Sequence, residues 1–545
     1  MTRRKARRTR PRPPGAAPPT TRPPVSGGGT NGALLLPVAC AIPLVWVGLL
    51  IPLPGLSRAF LAAGATLLVW TAALYAAVRR RRRPLVLQVA LRPQHWVQAC
   101  AQTAVLLYWG WYVPFVYAFI PLIVAQLVFA YGVESLVTWS RRDRFALGFG
   151  PFPVILSINL FLWLKPDWFV LQFAMIPLGY LAKELIHWER AGRPTHIFNP
   201  SSFPLAVISL VLIANHASGI TLGTAIASSQ FYPPYIYAVI FLAALPGQLL
   251  FGVATMTASA VVSLYAISAA YVAFNGTYLF YDTHIPIAVF LGMHLLFTDP
   301  TTSPRSTPGR VLFGVLYALG TAGAYSLLGA IGTPTFYDKL LPVPFMNLLV
   351  RRIDRLAAWR RPALMAPSHP RARLSALRLN LAPTAVWAVL FLALSALRGV
   401  GDNPAGQSLP FWERACGAGL ERACRYEAQM MLNYCNEGSG WACNERGVQL
   451  AKAGRRAAPS FQRACQLGFA PGCANASPAA GATASPTRGA PLPADLPIVL
   501  RGTKPPLRGW PETALQARAC AQGWPGACGT AAGASGASAP TKGNT

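Results

Sequence analysis

Charge is what this sequence has least of. Only 12% of its 545 residues are Asp, Glu, Lys or Arg, and acidic residues number 17 against 48 basic ones. A soluble chain carries about 25% charged residues, so a soluble globular fold is excluded for most of the length. Cysteine is nearly missing before residue 400: Cys40 and Cys100 lie in or beside apolar runs and read as inert apolar residues. No histidine follows His369, which argues against Cys–His zinc chemistry in the last third. There is no G-x-G-x-x-G opening a helix and no iron–sulfur cysteine set. The chain therefore cannot oxidise a nicotinamide by itself, and any electrons it moves must come from other subunits.

What is present is apolar sequence, 53% of the chain. A spanning helix needs about 20 apolar residues. Such runs predict thirteen spans, near 33–52, 59–78, 98–116, 118–138, 150–164, 168–186, 203–220, 234–253, 256–274, 284–298, 310–330, 338–350 and 381–397. The net charge of +31 does not imply nucleic acid, because the basic residues flank the apolar runs. With the N-terminus in the cytoplasm, the inner loops receive Arg79 to Arg83, Arg141, Arg142, Arg144, Arg190, Arg193, Arg305, Arg310 and the segment from Arg351 to Arg378. The outer side receives Arg58, Lys165, Lys339 and Arg398. This is the positive-inside pattern, and an odd span count puts residues 399–545 outside. Residues 1–32, basic and rich in Pro and Gly, are expected to be disordered. The first apolar run reads as an uncleaved span, not a signal peptide.

The remaining eight cysteines all follow residue 400. They form four C-x7-C pairs: Cys416 with Cys424, Cys435 with Cys443, Cys465 with Cys473, and Cys520 with Cys528. Even, regular cysteines in an oxidising space read as disulfides, and C-x7-C is too wide for a zinc knuckle. The charge rule places this segment outside without using the cysteines, so the two lines agree. The runs RACQLGFAPGC and YCNEGSGWAC resemble the cysteine-rich Sel1-like repeats. That resemblance implies that each pair staples two antiparallel helices of a solenoid, a fold that commonly binds proteins. Gly468 and Gly472 suit the turn. The intervals of 19, 30 and 55 residues between pairs depart from an even repeat. Residues 476–510 read as a linker before a last stapled fragment at 511–545.

Two polar runs interrupt the apolar core: THIFNPSSF from Thr195 to Phe203, and FTDPTTSPRSTPGR from Phe297 to Arg310. Asn199 and Asp299 can cap backbone groups that the following prolines leave unpaired, a purely structural reading. Together with Ala182, Lys183 and Glu184 upstream and Asn347, Leu348 and Asp354 downstream, the ordered set resembles the RnfD/NqrB family. Its members are membrane subunits of the Rnf and Nqr ion-translocating electron transport complexes. The resemblance covers roughly residues 100–360.

That resemblance implies FMN, or another flavin, held in part through a phosphoester to a Thr in an S-G-A-T motif. Here the motif reads S-G-I-T, with Ile220 in place of Ala. The implied cofactor-binding residues are Thr221, Ser218 and Gly219, with His196, Asn199, Pro200, Asp299 and Thr302 from the two polar runs. Ionisable residues near the spans are few: Glu134, Lys183, Glu184 and Asp299, all by span ends. They show no ion path. Haem does not suit His187, His196, His216, His284 and His294, which share no common depth on facing helices.

The expected architecture is all-α: a polytopic helical membrane protein, then a small disulfide-stapled helical repeat region. The domain plan is 1–32 disordered, 33–97 two spans and a basic loop, 98–360 the family-like core, 361–398 a basic loop and last span, and 399–475 the repeats. The expected location is the bacterial inner membrane. The function implied by resemblance is flavin-dependent electron transfer coupled to ion transport, alongside other subunits of an electron transport complex. Two alternatives stay open: a divergent non-redox homologue acting as a scaffold or transporter-like protein, and a tail whose own extracytoplasmic protein partner is the point.

Overall fold

The computed structural model describes residues 30–190, 192–280, 282–358, 370–402, 404–477, 485–500, 510–524 and 527–528. Residues 1–29, which hold most of the segment expected to be disordered, and residues 191, 281, 359–369, 403, 478–484, 501–509, 525–526 and 529–545 lie outside them.

Among the described residues, fifteen helices build the body: α1 Thr30–Leu50, α2 Pro54–Arg81, α3 Pro93–Tyr112, α4 Phe115–Ala118, α5 Ile120–Arg141, α6 Pro151–Phe161, α7 Phe169–Leu185, α8 Ser202–Ala214, α9 Gly223–Ser229, α10 Ile236–Phe251, α11 Ala254–Asn275, α12 Ile287–Leu295, α13 Thr307–Ala330, α14 Pro342–Ala358 and α15 Pro370–Ala396. Proline opens many of them, at a position that needs no N–H. α10 and α11 stop at left-handed Gly252 and Gly276.

Among the described residues, six helices are long and apolar enough to cross a membrane: Gly32–Leu50, Pro54–Arg81, Ile120–Arg141, Ala254–Asn275, Thr307–Ala330 and Arg378–Ala396. Their outward faces expose Trp46, Leu49, Val69, Phe274, Leu327 and Leu392. Large apolar side chains ringing a bundle suit hydrocarbon as solvent and not water, which suggests a membrane protein.

Not all of the thirteen expected spans are helices long enough to cross a membrane. The runs at 150–164, 203–220 and 284–298 give helices of only 11, 13 and 9 residues, and 338–350 begins non-helically. Backbone can leave the helix at such depth only where protein groups satisfy it, and buried side chains do so. Gln172 accepts from Leu164 N at 2.9 Å and donates to Leu162 O at 3.1 Å beyond the end of α6. Asn199 Nδ2 donates to Leu296 O, just past α12, at 3.1 Å. Tyr317 Oη donates to Lys339 O, ahead of α14, at 3.0 Å.

The packing repeats with reversed direction. α3 packs on α6, α5 on α7 and α7 on α8; in the second half α10 packs on α12, α11 on α13 and α13 on α14. The halves meet through α3 with α10 and α8 with α14. α5 ends at Arg141 beside β2, whereas α11 ends at the opposite end of the bundle, next to the C-terminal tail.

Among the described residues, four short strands add to the all-α expectation. β1 Val86–Val89 pairs in parallel with β2 Arg144–Leu147, and β3 His187–Arg190 pairs antiparallel with β4 Arg193–His196. All lie at the arginine-rich end, where they fix the loops that carry the polar runs.

The tail forms α16 Leu409–Gly417, α17 Glu421–Asn436, α18 Gly440–Lys452, α19 Ala458–Gln466, α20 Ala470–Ala476, α21 Leu496–Val499 and α22 Glu512–Ala521. All four C-x7-C pairs are disulfide-bonded. Each first cysteine is followed three residues later by a glycine at positive φ: Gly419 (+86°), Gly438 (+105°), Gly468 (+81°) and Gly523 (+80°). The following N–H then reaches back to the carbonyl ahead of the cysteine, as in Phe469 N to Ala464 O. Residues 485–500, within the expected linker, fold onto the repeats. Trp441 Nε1 donates to Gly489 O at 2.8 Å, and Ser439 Oγ donates to Asp495 Oδ1 at 2.7 Å.

The tail rests on the end of the body away from the arginine clusters. Arg422 donates to Tyr271 Oη at 2.7 Å and to Leu279 O, and its guanidinium lies 5.3 to 5.9 Å from the rings of Tyr271, Tyr325 and Tyr426. Tyr325 and Tyr426 share a hydroxyl hydrogen bond of 2.9 Å, and Gln407 Nε2 donates to Asp282 Oδ2 at 2.8 Å.

Candidate functional site

Both polar runs and the late Asn347–Asp354 segment converge on one knot. The Asn199 side chain ties three elements. Its Oδ1 accepts from Ser201 N at 2.9 Å and Ser201 Oγ at 2.7 Å, starting α8, while its Nδ2 reaches Leu296 O. Its own N–H donates to Asn347 Oδ1 at 3.2 Å. Asn347 Nδ2 donates in turn to Thr302 O at 3.2 Å. Pro200 packs its carbonyl on Gly179, where any Cβ would collide with it.

Asp299 turns the second run. Oδ1 accepts from Thr301 N at 2.9 Å, and Oδ2 accepts from Thr302 Oγ1 at 3.1 Å, with His196 Nε2 at 4.0 Å. Burial pushes the Asp299 carboxyl up, but His196 and these hydrogen bonds outweigh it, holding the group below its ordinary value. Asp299 thus stays ionised at neutral pH.

Arg190, read in the sequence only as a topology signal, is the centre of the knot. It is 8% exposed. Its guanidinium donates to Thr301 O at 3.2 Å, Ser303 O at 2.8 Å and Asp354 Oδ2 at 2.7 Å. Asp354 Oδ1 also accepts from Arg305 N at 3.0 Å. The visible clue is Gly192 at φ +72°, two residues on, which turns the β3–β4 hairpin.

Ser218, Gly219 and Thr221 are not part of this knot. They lie beyond α8, whose far end they follow. The segment pairs with residues 163–165 after α6: Leu222 N donates to Trp163 O at 2.7 Å and Lys165 N to Ile220 O at 2.8 Å. Thr221 Oγ1 donates to Ser218 O at 3.0 Å and accepts from Gly223 N at 3.3 Å. Tyr337 Oη donates to Ser218 Oγ at 3.1 Å. Sequence placed Lys339 in an outer loop; it is instead buried beside Asp338, 4% exposed like its partner. Glu134 and Lys183 form an ion pair of 2.7 Å, and Arg142 and Glu184 another of 2.7 Å.

No family model, curated protein or solved structure matches the chain.

A flavin phosphoester at Thr221 would lie two residues from Gly219, where a built Cβ meets nothing within 4 Å. It would cost one hydrogen bond, the donation to Ser218 O, while Oγ1 still accepts from Gly223 N. Ser218 and Tyr337 hydroxyls stand close by for the polar edge of such a group.

Proposed function

We propose that the chain is a membrane component of an electron transport complex, of the RnfD/NqrB kind. It would sit in the bacterial inner membrane with a flavin at Thr221. The observation that carries this reading is the convergence of three separated segments, 195–203, 297–310 and 347–354, through Asn199, Arg190 and Asp354. A bound flavin would supply one- and two-electron chemistry. The chain's own residues would position it: Thr221 would anchor it, Ser218 and Tyr337 would orient it, and the Asn199 knot would fix the near end of α8, whose far end leads into the segment holding Thr221. Electron donors and acceptors would be other proteins of the complex.

The orientation proposed is arginine clusters toward the cytoplasm and the stapled tail outside. Support comes from two independent facts: the four disulfides need an oxidising space, and they sit at the end away from Arg79–Arg83 and Arg141–Arg144. The absorption spectrum of the purified full chain, expressed with a flavin-attaching enzyme, tests the reading. Flavin bands that survive denaturation support it, and colourless protein removes the covalent form.

The hydrogen-bonded Thr221 hydroxyl favours a second reading, a non-redox scaffold that displays the tail to an extracytoplasmic protein. Fold alone does not decide between them. Redox-dependent change in the spectrum of the membrane body counts against the scaffold.

A further inference from the structure

The stapled repeats carry a seat that the chain fills with itself. Residues 485–494 lie against α18 and α20 without helix or strand, and most of them are exposed. Apolar anchoring begins only afterwards, at buried Leu496, Val499 and Leu500. What holds residues 487–489 is polar, and much of it reads main chain. Asn475 Oδ1 accepts from Thr487 N at 2.7 Å, and its Nδ2 donates to Thr487 O at 2.8 Å. Asn444 Nδ2 donates to the same carbonyl at 3.0 Å, and its Oδ1 accepts from Asn475 Nδ2 at 2.8 Å. Trp441 Nε1 donates to Gly489 O. A side-chain amide that pairs with both the N–H and the C=O of one residue does what a neighbouring strand would do. It holds an extended segment through its backbone, and the positions beside it supply selectivity.

Two positions here are selective. Arg488 donates through Nε and Nη2 to Glu445 Oε2. The Glu445 side chain is 2% exposed and that of Arg488 58%, so the repeats hold the acid inside and the strap brings the base from outside. Glu413 and Glu427 feel the same Arg488 charge, with lesser contributions from exposed Arg414 and Lys452. Three carboxylates thus share the one strap cation. Glu445 Oε1 and, one turn on, Gln449 Oε1 are buried and find no hydrogen-bond partner among the described residues. A guanidinium binds best across both oxygens of a carboxylate, and the strap uses one. The seat is more acidic than its present occupant satisfies. The second selective position is Gly489, where a Cβ would stand 3.0 Å from Phe469 Cζ and 3.2 Å from Pro471 Cγ.

The geometry points to residues 485–492 as a displaceable internal occupant of a peptide seat whose external partner is an extended Arg-Gly segment of another protein. Tethering gives the strap an effective concentration of about millimolar, so it keeps the seat closed to weak competitors. An incoming arginine that spans both Glu445 oxygens gains what the strap leaves unused. Without any arginine, Glu445 would be a buried, unpaired charge, which is costly. This rests on the second reading's premise that the tail meets an extracytoplasmic protein, and it adds what that protein must present.

The test uses the full-length chain in detergent and a fluorescein-labelled peptide copying residues 485–492, SPTRGAPL, with binding read by anisotropy. Arg488→Ala frees the seat, and that chain should bind the peptide about tenfold or more tightly than wild type does. Changing the peptide's arginine or its glycine to alanine should weaken binding, and so should adding Asn475→Ala to the chain. Melting temperature checks the folding of each variant. Should Arg488→Ala not fold, amide exchange in wild type answers instead: millimolar peptide should speed exchange at 487–489 and leave 496–500 protected. Equal affinity of wild type and the folded Arg488→Ala chain overturns the proposal. So does binding that ignores the peptide's arginine, or, in the exchange experiment, no change at 487–489. A wild-type dimer in mass photometry that Arg488→Ala dissociates would give the seat to a second copy's strap and would also overturn it. The scaffold reading fails by another readout, the redox spectrum of the body, so the two can fail separately.

Discussion

At the residue scale, a few side chains do the work of a lost backbone. Asn199 caps α8 and closes α12 together. Asn199→Ala removes the cap, and the expected cost is about 1–2 kcal/mol, measured as a lower melting temperature in detergent. If a flavin is present, the variant should lose it before it unfolds. Loss of fold with flavin retained in the surviving fraction would favour a capping role alone. Asp299 gives a pH signature. Its folded value is depressed, so its contribution is present above the ordinary aspartate range and is lost as pH falls through the lower folded value. Amide exchange around residues 297–303 should rise in acid, and Asp299→Asn should flatten that rise. Asn199 and Asp299 were legible because each stands before a proline in apolar sequence. Arg190 was not, because nothing near it in sequence announces that Thr301, Ser303 and Asp354, more than a hundred residues on, would supply its partners.

At the element scale, glycine decides where helices meet. Gly179 of α7 lets the Pro200 carbonyl approach, and no Cβ fits there. Gly179→Ala should cost about 1–3 kcal/mol through overpacking, read as lowered thermal stability. In the tail, Gly468 sits at φ +81°, where alanine is strained. Gly468→Ala should cost more than about 1 kcal/mol, whereas Gly417→Ala should not, because Gly417 lies within the last turn of α16 with free space around it. Thermal melts of the two variants separate these outcomes. The C-x7-C spacing was readable as four staples. The shared C-x2-G within it is equally plain in the sequence and states which turn each staple crosses. Short helices α6, α8 and α12 were harder to see. Their apolar runs are long enough to span, and only buried partners such as Gln172 make it acceptable for the backbone to leave the helix early.

At the scale of the whole molecule, the tail is clasped to the body through Arg422, Tyr271, Tyr325 and Tyr426. Arg422→Ala should raise hydrogen exchange in residues 276–284 while the stapled helices keep their protection. Equal loosening of both would mean that the tail depends on the body for its own fold. Inside the tail, burial and the neighbouring Glu427 raise Glu413, and burial raises Glu427 against its bond to Gln449. Groups with raised carboxyl values bind protons more tightly when folded, so the tail gains stability as pH falls through the raised range. The gain ends below the ordinary glutamate range. Exchange over residues 409–452 should therefore slow from neutral toward mildly acid pH, and Glu413→Gln should weaken the trend. Composition alone determined that most of this chain is helical, apolar and suited to a membrane, and that its end is cross-linked, because hydropathy and cysteine spacing are local properties. Tertiary structure decided which runs stay helical to the end. It also decided that three distant polar segments share one knot and that Lys339 is buried beside Asp338 instead of lying in an outer loop. Those outcomes depend on which partners a fold brings within hydrogen-bond reach, and no window of sequence contains them.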